Sequence, residues 1–263
     1  TFQRFVRIAL EADPVSIRSA DLNGDGFPDL AIVVGNFSPD GLADLVVTFG
    51  AEDALILLSK GDGEFERASR IPGTAGSRSV VTADFNLDGI SDLAFTTGSF
   101  GAGVRVLLGM SGGTFTPAAS YDFDGFAGAI LTADFNGDGK PDIVANLGSS
   151  AAVLHGKGDG TFEPAKIIAG PPAGTGAYNA MAAGDIDGDG KFDLVVATGR
   201  GVILLPGNGD GTFRAATPLG IPAQALFLGA TDWNRDNRTD LVIANQELGT
   251  VSVLAAADVS TTN

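Results

Sequence analysis

The sequence predicts an all-β protein assembled from five repeats of about fifty residues, each folded as one four-stranded antiparallel sheet. Three observations carry this reading. A nine-residue acidic phrase returns five times, as DLNGDGFPD from Asp21, DFNLDGISD from Asp84, DFNGDGKPD from Asp134, DIDGDGKFD from Asp185 and DWNRDNRTD from Asp232. Apolar runs of strand length flank every copy, and no segment has the capped 3.6-residue periodicity of a long helix. A glycine-rich turn follows at a similar distance in four repeats, KGDGEF at 60–65, MSGGTF at 110–115, KGDGTF at 157–162 and NGDGTF at 208–213.

The elements follow in order within each repeat. An apolar stretch precedes the acidic phrase, for example Ser79 to Ala83 and Ala225 to Thr231, and forms the first strand. The second strand is a continuous β-branched run directly after it: LAIVV from Leu30, LAFTT from Leu93, IVANL from Ile143, LVVAT from Leu194 and LVIAN from Leu241. The third is ALILL at 54–58, VRVLL at 104–108, AVLH at 152–155, VILLP at 202–206 and VSVLA at 251–255. A Gly-Asp-Gly turn closes a hairpin because glycine adopts positive φ without steric cost. A more polar fourth strand then starts after Phe65, Phe115, Phe162 and Phe213. Four antiparallel strands repeated radially make a β-propeller blade. Phrase starts at 21, 84, 134, 185 and 232 give intervals of 63, 50, 51 and 47 residues.

The expected division is a single propeller domain over 1–263, with blades at 14–72, 73–121, 127–170, 177–220 and 223–257. The fifth blade lacks a glycine-rich turn. Thr1-Phe2-Gln3-Arg4 matches Thr212-Phe213-Arg214, so residues 1–10 are expected to supply the outer strand of the last blade and close the ring. The expected product is a monomeric domain; a strand-swapped assembly, in which that strand completes a neighbour, is the alternative.

With 44% apolar residues among 263 the chain can bury a substantial core, and no run of eighteen apolar residues suggests membrane insertion. Nothing basic and aromatic is patterned for nucleic acid, and the net charge of −16 opposes it. There is no cysteine for a disulfide or thiolate site. Sixteen of the 32 acidic residues sit inside the five phrases. Carboxylates about 5 Å apart repel by roughly 3 kcal/mol at an effective dielectric near 20, so such loops call for a cation.

Asp at places one, five and nine with Asn or Asp at place three, and a free place seven offering its backbone carbonyl, is an oxygen cage for a hard ion, and Ca2+ fits it. The candidate ligands are Asp21, Asn23, Asp25, Phe27 and Asp29; Asp84, Asn86, Asp88, Ile90 and Asp92; Asp134, Asn136, Asp138, Lys140 and Asp142; Asp185, Asp187, Asp189, Lys191 and Asp193; and Asp232, Asn234, Asp236, Arg238 and Asp240. About five calcium ions, one per blade, are expected. Place six is Gly in four copies and Asn237 in the fifth, as a bend at positive φ demands. Place two is always apolar (Leu22, Phe85, Phe135, Ile186, Trp233), expected to plug the loop into the core. An EF-hand requires Glu at place twelve, where Ile32, Phe95, Ala145, Val196 and Ile243 stand.

These repeats resemble the FG-GAP or VCBS type, whose calcium loops occur in the propeller of integrin α chains and in many bacterial extracellular proteins. The resemblance covers nearly the whole chain. It implies one ion per motif-bearing blade, in the hairpin between the first and second strands. No Phe-Gly pair precedes each loop, which brings the chain nearer the bacterial form.

Strand alternation places the acidic loops and glycine-rich turns on one face. The opposite face is expected to carry the variable connections and a protein or glycan ligand, with Phe37, Phe100, Phe123, Phe126 and Tyr178 as candidate contacts. Catalysis is not expected. GMSGG at 109–113 has the spacing of a nucleophile elbow but aligns with the hairpin turns, and the single histidine, His155, lies at a strand end of another repeat. The residues point to a calcium-stabilised extracellular binding or adhesion module. A lectin and a structural subunit stand as alternatives, and the closed loops oppose a propeller enzyme. An extracellular setting follows from where millimolar calcium is available.

Overall fold

A computed structural model describes residues 18–20, 29–31, 34–35, 37, 40, 42, 44–48, 53–61, 64–97, 102–124, 127–168, 177–221, 225–245 and 249–256. These residues form strands and turns, without a helix. β1 (Arg18–Ala20) pairs antiparallel with β2 (Asp29–Ala31) in a short two-stranded sheet. Four four-stranded antiparallel sheets follow, each with its strands in sequence order. The first contains β3 (Val34–Gly35), β4 (Asp44–Val47), β5 (Ala54–Ser59) and β6 (Phe65–Ile71). The second contains β7 (Ser77–Ala83), β8 (Asp92–Thr97), β9 (Gly103–Met110) and β10 (Thr114–Asp122). The third contains β11 (Ile130–Ala133), β12 (Asp142–Asn146), β13 (Ala151–Leu154) and β14 (Lys166–Ile168). The fourth contains β15 (Tyr178–Gly184), β16 (Asp193–Thr198), β17 (Gly201–Leu205) and β18 (Thr217–Pro218). The last sheet has β19 (Ala225–Thr231), β20 (Asp240–Asn245) and β21 (Thr250–Leu254).

The chain groups into two compact units, Thr1–Ile130 with Gly156–Glu163, and Leu131–His155 with Pro164–Asn263. In the first, the β3–β6 and β7–β10 sheets share a core of Phe37, Val46, Ile56, Val80, Leu93 and Phe95, among others. In the second, Ala182, Val195, Ala197, Leu204, Leu228, Leu241 and Ile243 join the β15–β18 and β19–β21 sheets. The second strands β8, β12 and β16 are buried nearly throughout. Protein on both faces explains why they read as continuous apolar runs rather than alternating ones. The fourth strand β10 is largely exposed, and so is β21, which has no outer strand among the described residues.

The segment expected to be one blade, 14–72, instead holds two sheets, β1–β2 and β3–β6. Its 63-residue interval conceals a sixth, worn copy of the phrase, NFSPDGLAD from Asn36 to Asp44, so that the starts run 21, 36 and 84. Asn36 and Ser38 replace the carboxylate and amide at places one and three, but Phe37, Asp40, Gly41 and Asp44 keep places two, five, six and nine. Phe37, expected on a ligand face, is therefore a core plug and is fully buried. Tyr178, expected there too, starts β15 and is buried. Phe123 is half-buried, while Phe100, Phe126 and the closing segment 1–10 lie outside the described residues.

Candidate metal sites

Each of the four acidic phrases from Asp84 onward occupies the hairpin between the first and second strands of its sheet. Place nine pairs with the last residue of the first strand, as in Ala83 with Asp92, Gly184 with Asp193 and Thr231 with Asp240. The turn needs left-handed backbone at two positions rather than one. Place six is Gly89, Gly139, Gly190 or Asn237, and place four is Leu87, Gly137, Gly188 or Arg235, all at positive φ. Leu87 (φ 61°) and Arg235 (φ 64°) accept a conformation that costs an ordinary side chain about 1 kcal/mol.

Backbone amides bind the carboxylates into a fixed cage. In the loop 84–92, Asp84 Oδ1 accepts from Asp88 N at 3.0 Å and its Oδ2 from Gly89 N at 2.8 Å. Asp88 Oδ1 accepts from Ile90 N at 2.8 Å. The same place-one bonds recur from Gly139 N to Asp134, from Gly190 N to Asp185 and from Asn237 N to Asp232. The place-five bond recurs at Asp138, Asp189 and Asp236, and at Asp40 of the worn copy, where Leu42 N donates at 2.9 Å.

Place nine, expected only as a metal ligand, is also a structural clamp. Its side chain is inaccessible to solvent in Asp44, Asp92, Asp142, Asp193 and Asp240. One oxygen accepts the place-two amide: Phe37 N to Asp44 at 2.9 Å, Phe85 N to Asp92 at 2.8 Å, Phe135 N to Asp142 at 3.1 Å, Ile186 N to Asp193 at 2.9 Å and Trp233 N to Asp240 at 2.9 Å. The other accepts an amide at the end of the third strand or just beyond it in four sheets, from Ser59, Gly109, Gly207 and Ala256, each at 2.8 Å. The carboxylate thereby ties three strands together, which explains its survival in the worn loop. Burial pushes the Asp92 carboxyl up to about 6 despite its amide donors, and burial raises Asp193 as well. At Asp240 the Ala256 amide leads, desolvation opposes it, and the Trp233 and Asn234 amides help hold that carboxyl below the usual range.

The arrangement fits a cation. Asp185, Asp187 and Asp193 each offer one carboxylate oxygen, and the three oxygens lie within 4.8 Å of one another. Cationic donors already approach the place-five carboxylates. Lys140 Nζ lies 3.2 Å from Asp138 Oδ2, and Lys191 Nζ lies 3.3 Å from Asp189 Oδ2. Although desolvation pushes the other way, the Lys140 amide and ammonium together lower Asp138; Lys191 does the same for Asp189, with help from Arg214. Of the first phrase, Asp21, Asn23, Asp25 and Phe27 lie outside the described residues, and Asp29 opens β2.

Successive repeats are joined at these loops. The Phe85 carbonyl accepts from Gly160 N at 2.9 Å, and the Phe135 carbonyl accepts from Gly211 N at 3.0 Å, so the next repeat's hairpin is bonded to place two. The hairpin phenylalanine packs edge-on against the plug: Phe115 on Phe37, Phe162 on Phe85 and Phe213 on Phe135, with centroids 5.6, 5.4 and 5.7 Å apart. Tyr121 Oη seals one joint, accepting from Phe162 N at 2.6 Å and donating to Phe162 O at 3.1 Å. Beneath the hairpin the third-strand end meets a glycine. Leu58 touches Gly113, while Leu108 under Gly160 and His155 under Gly211 leave no room for a Cβ. His155 thus replaces a joint leucine, and its ring Nδ1 lies 3.4 Å from Asp142 Oδ2. Trp233 departs from its expected burial: it is 64% exposed, since no hairpin covers it among the described residues.

Known proteins share this architecture. A lectin of Agrocybe aegerita, solved for specific recognition of non-reducing terminal N-acetylglucosamine, is 18% identical with a TM-score of 0.58, covering 78% of this chain and 66% of its own. BBS1N, solved in complex with ARL6DN, is 13% identical with a TM-score of 0.55, covering 97% and 95%. The Tc holotoxin pore of Photorhabdus luminescens is 16% identical with a TM-score of 0.50, covering 94% of this chain and 11% of the toxin chain. The chain thus spans just under two thirds of the lectin and about a tenth of the toxin chain. At these identities the likeness is one of fold. Among curated proteins nothing matches. The FG-GAP-like repeat pattern matches four times in succession, over 36–95, 84–145, 134–196 and 185–243, and its first match begins at the worn copy. With matches running through well over half of its length, the chain belongs to the FG-GAP-like repeat family.

Proposed function

We propose that this chain is a calcium-stabilised propeller module that acts outside the cell and binds a protein or a glycan. The convergence of Asp185, Asp187 and Asp193 oxygens within a loop pre-shaped by backbone amides supports it most directly. The loops at 84–92, 134–142 and 232–240 repeat that amide pattern. Calcium would be held by side-chain oxygens of places one, three, five and nine and the place-seven carbonyl, and its role is to neutralise charge and lock the hairpin. The worn loop, with Asn36 and Ser38, is not a candidate, so about five ions remain the expected number. The module is read as non-enzymatic.

Ring closure is part of the proposal. Among the described residues the exposed β21 has no outer strand of the kind that four other sheets have, and residues 1–10 carry the Thr-Phe phrase that begins such a strand. A glycan is the second reading for the ligand, favoured by the likeness in fold to the Agrocybe aegerita lectin. With Phe37 and Tyr178 in the core, the candidate surface narrows to the remaining variable connections, including the one that carries Phe123.

Calorimetric titration and thermal melting test the metal reading. Uptake of several calcium ions at about 0.1–1 mM is expected. Melting should rise by roughly 10 °C between chelator and about 10 mM calcium. Equal melting temperatures with no heat of binding would overturn it. A glycan array probed in calcium decides between the glycan and protein readings.

A further inference from the structure

The loop 185–193 differs from the other three well-described loops in two linked ways. It has Asp187 at place three where they have Asn86, Asn136 and Asn234, so it holds four carboxylates rather than three. It also has an arginine from outside the loop: Arg214 Nη2 lies 2.8 Å from Asp187 Oδ2 and 3.3 Å from Asp189 Oδ2. Arg214 directly follows the hairpin residue Phe213, and Pro206 O accepts its backbone N–H at 2.8 Å, which holds it beside the loop. The residues after the other hairpin phenylalanines are Glu66, Thr116 and Glu163, none of them cationic.

The oxygens involved are the ones left over from the backbone cage. Asp187 Oδ1 accepts from Asp189 N, and Asp189 Oδ1 accepts from Lys191 N, so each carboxylate presents its Oδ2 for other partners. In the loops 84–92 and 232–240 the place-five Oδ2 receives the place-three amide instead, from Asn86 and Asn234, each at 2.9 Å. Asp187 has no such amide. Lys191 Nζ reaches Asp189 Oδ2 but is not paired with Asp187, and Arg214 spans both.

We propose that Arg214 is a tethered counter-cation that competes with the metal for the fourth loop. It neutralises the extra carboxylate in the metal-free protein and gives up the two Oδ2 atoms when the ion enters. The loop at 185–193 is then a weaker site than its charge implies, and it fills late. This rests on the calcium reading of the loops. Arg214 is about half exposed, so competition is worth a modest factor rather than orders of magnitude.

The test compares wild type, Arg214→Gln, Asp187→Asn and the double variant by titration with calcium chloride and by melting in chelator. Arg214→Gln should tighten the weakest class of site by about three- to fivefold while lowering the melting temperature in chelator. In the Asp187→Asn background, where Asn can supply its own amide to Asp189, the same substitution should change neither by much. An unchanged or weakened calcium affinity in Arg214→Gln, with the other sites still filling, would overturn the competition and leave the calcium reading intact. No calcium uptake by any of the four proteins would overturn both.

Discussion

Phe135 and Trp233 occupy the same place in two copies of one phrase and meet opposite fates. Each donates its backbone N–H to the place-nine carboxylate behind it, Asp142 or Asp240. Yet Phe135 is 2% exposed and Trp233 is 64% exposed. The difference is the neighbour. Phe135 has Phe213 and the Gly211 amide of the following hairpin above it, whereas in the sheet that carries Trp233 the β21 residues Val251, Val253 and Leu254 are exposed too. A repeat therefore builds its loop alone, but its core is finished by the repeat that follows.

Truncation is the strongest way to probe that contrast. Phe135→Ala empties a filled joint and should cost about 3–5 kcal/mol by urea denaturation, while Trp233→Ala tests the proposed closure: a cost within about 0.5 kcal/mol would leave the tryptophan open to solvent and overturn a closed ring. Equal costs would mean that Trp233 is covered in solution, as ring closure would require of some segment. Proton titration is the next probe. In chelator, the Asp92 carboxyl should titrate near 6 and the Asp240 carboxyl below its usual 3.8, read by carbon NMR of the side chains. Because Asp92 is raised, its contribution stabilises the metal-free protein as pH falls through about 6 and is complete near 3.8. Melting in chelator should accordingly rise by on the order of 5 °C between pH 7 and pH 5, and Asp92→Asn should flatten that rise. Asp240 works in the other direction, its stabilisation being lost only as pH falls below the ordinary carboxylate value. The smallest effect is local. Leu87→Gly and Arg235→Gly should each raise stability by up to about 0.5 kcal/mol, because relief of the left-handed strain is partly offset by glycine's greater freedom when unfolded.

Much of this was legible in the sequence because it is local. Four phrases, the runs after them and the turns at Phe65, Phe115, Phe162 and Phe213 fix strands that the structure places as expected, whereas the run from Leu30 is divided between β2 and β3 of two sheets. The worn copy escaped notice because Asn36, Ser38 and Pro39 erase the acidic signature while Phe37 and Asp44 keep only the backbone clamp; the irregular 63-residue interval was its trace. Phe37 and Tyr178 looked like loop aromatics for the same reason, since burial by a neighbouring sheet leaves no mark on adjacent residues. Trp233 failed the other way, its periodicity promising a cover that must come from another repeat. Arg214 lies 25 residues from Asp189, a pairing that only the folded hairpin creates.

The glycine amides bonded to the Phe85 and Phe135 carbonyls make the joints directional. Residues Gly156–Glu163 group with the unit that contains Phe85 rather than with β13, which leads into them. Each repeat is thus a lid for the one before it and not for the one after. Loss of structure in a repeat uncovers the plug of its predecessor, so fraying spreads toward the N-terminus one plug at a time. An ion that stiffens one loop would halt that retreat at its own position.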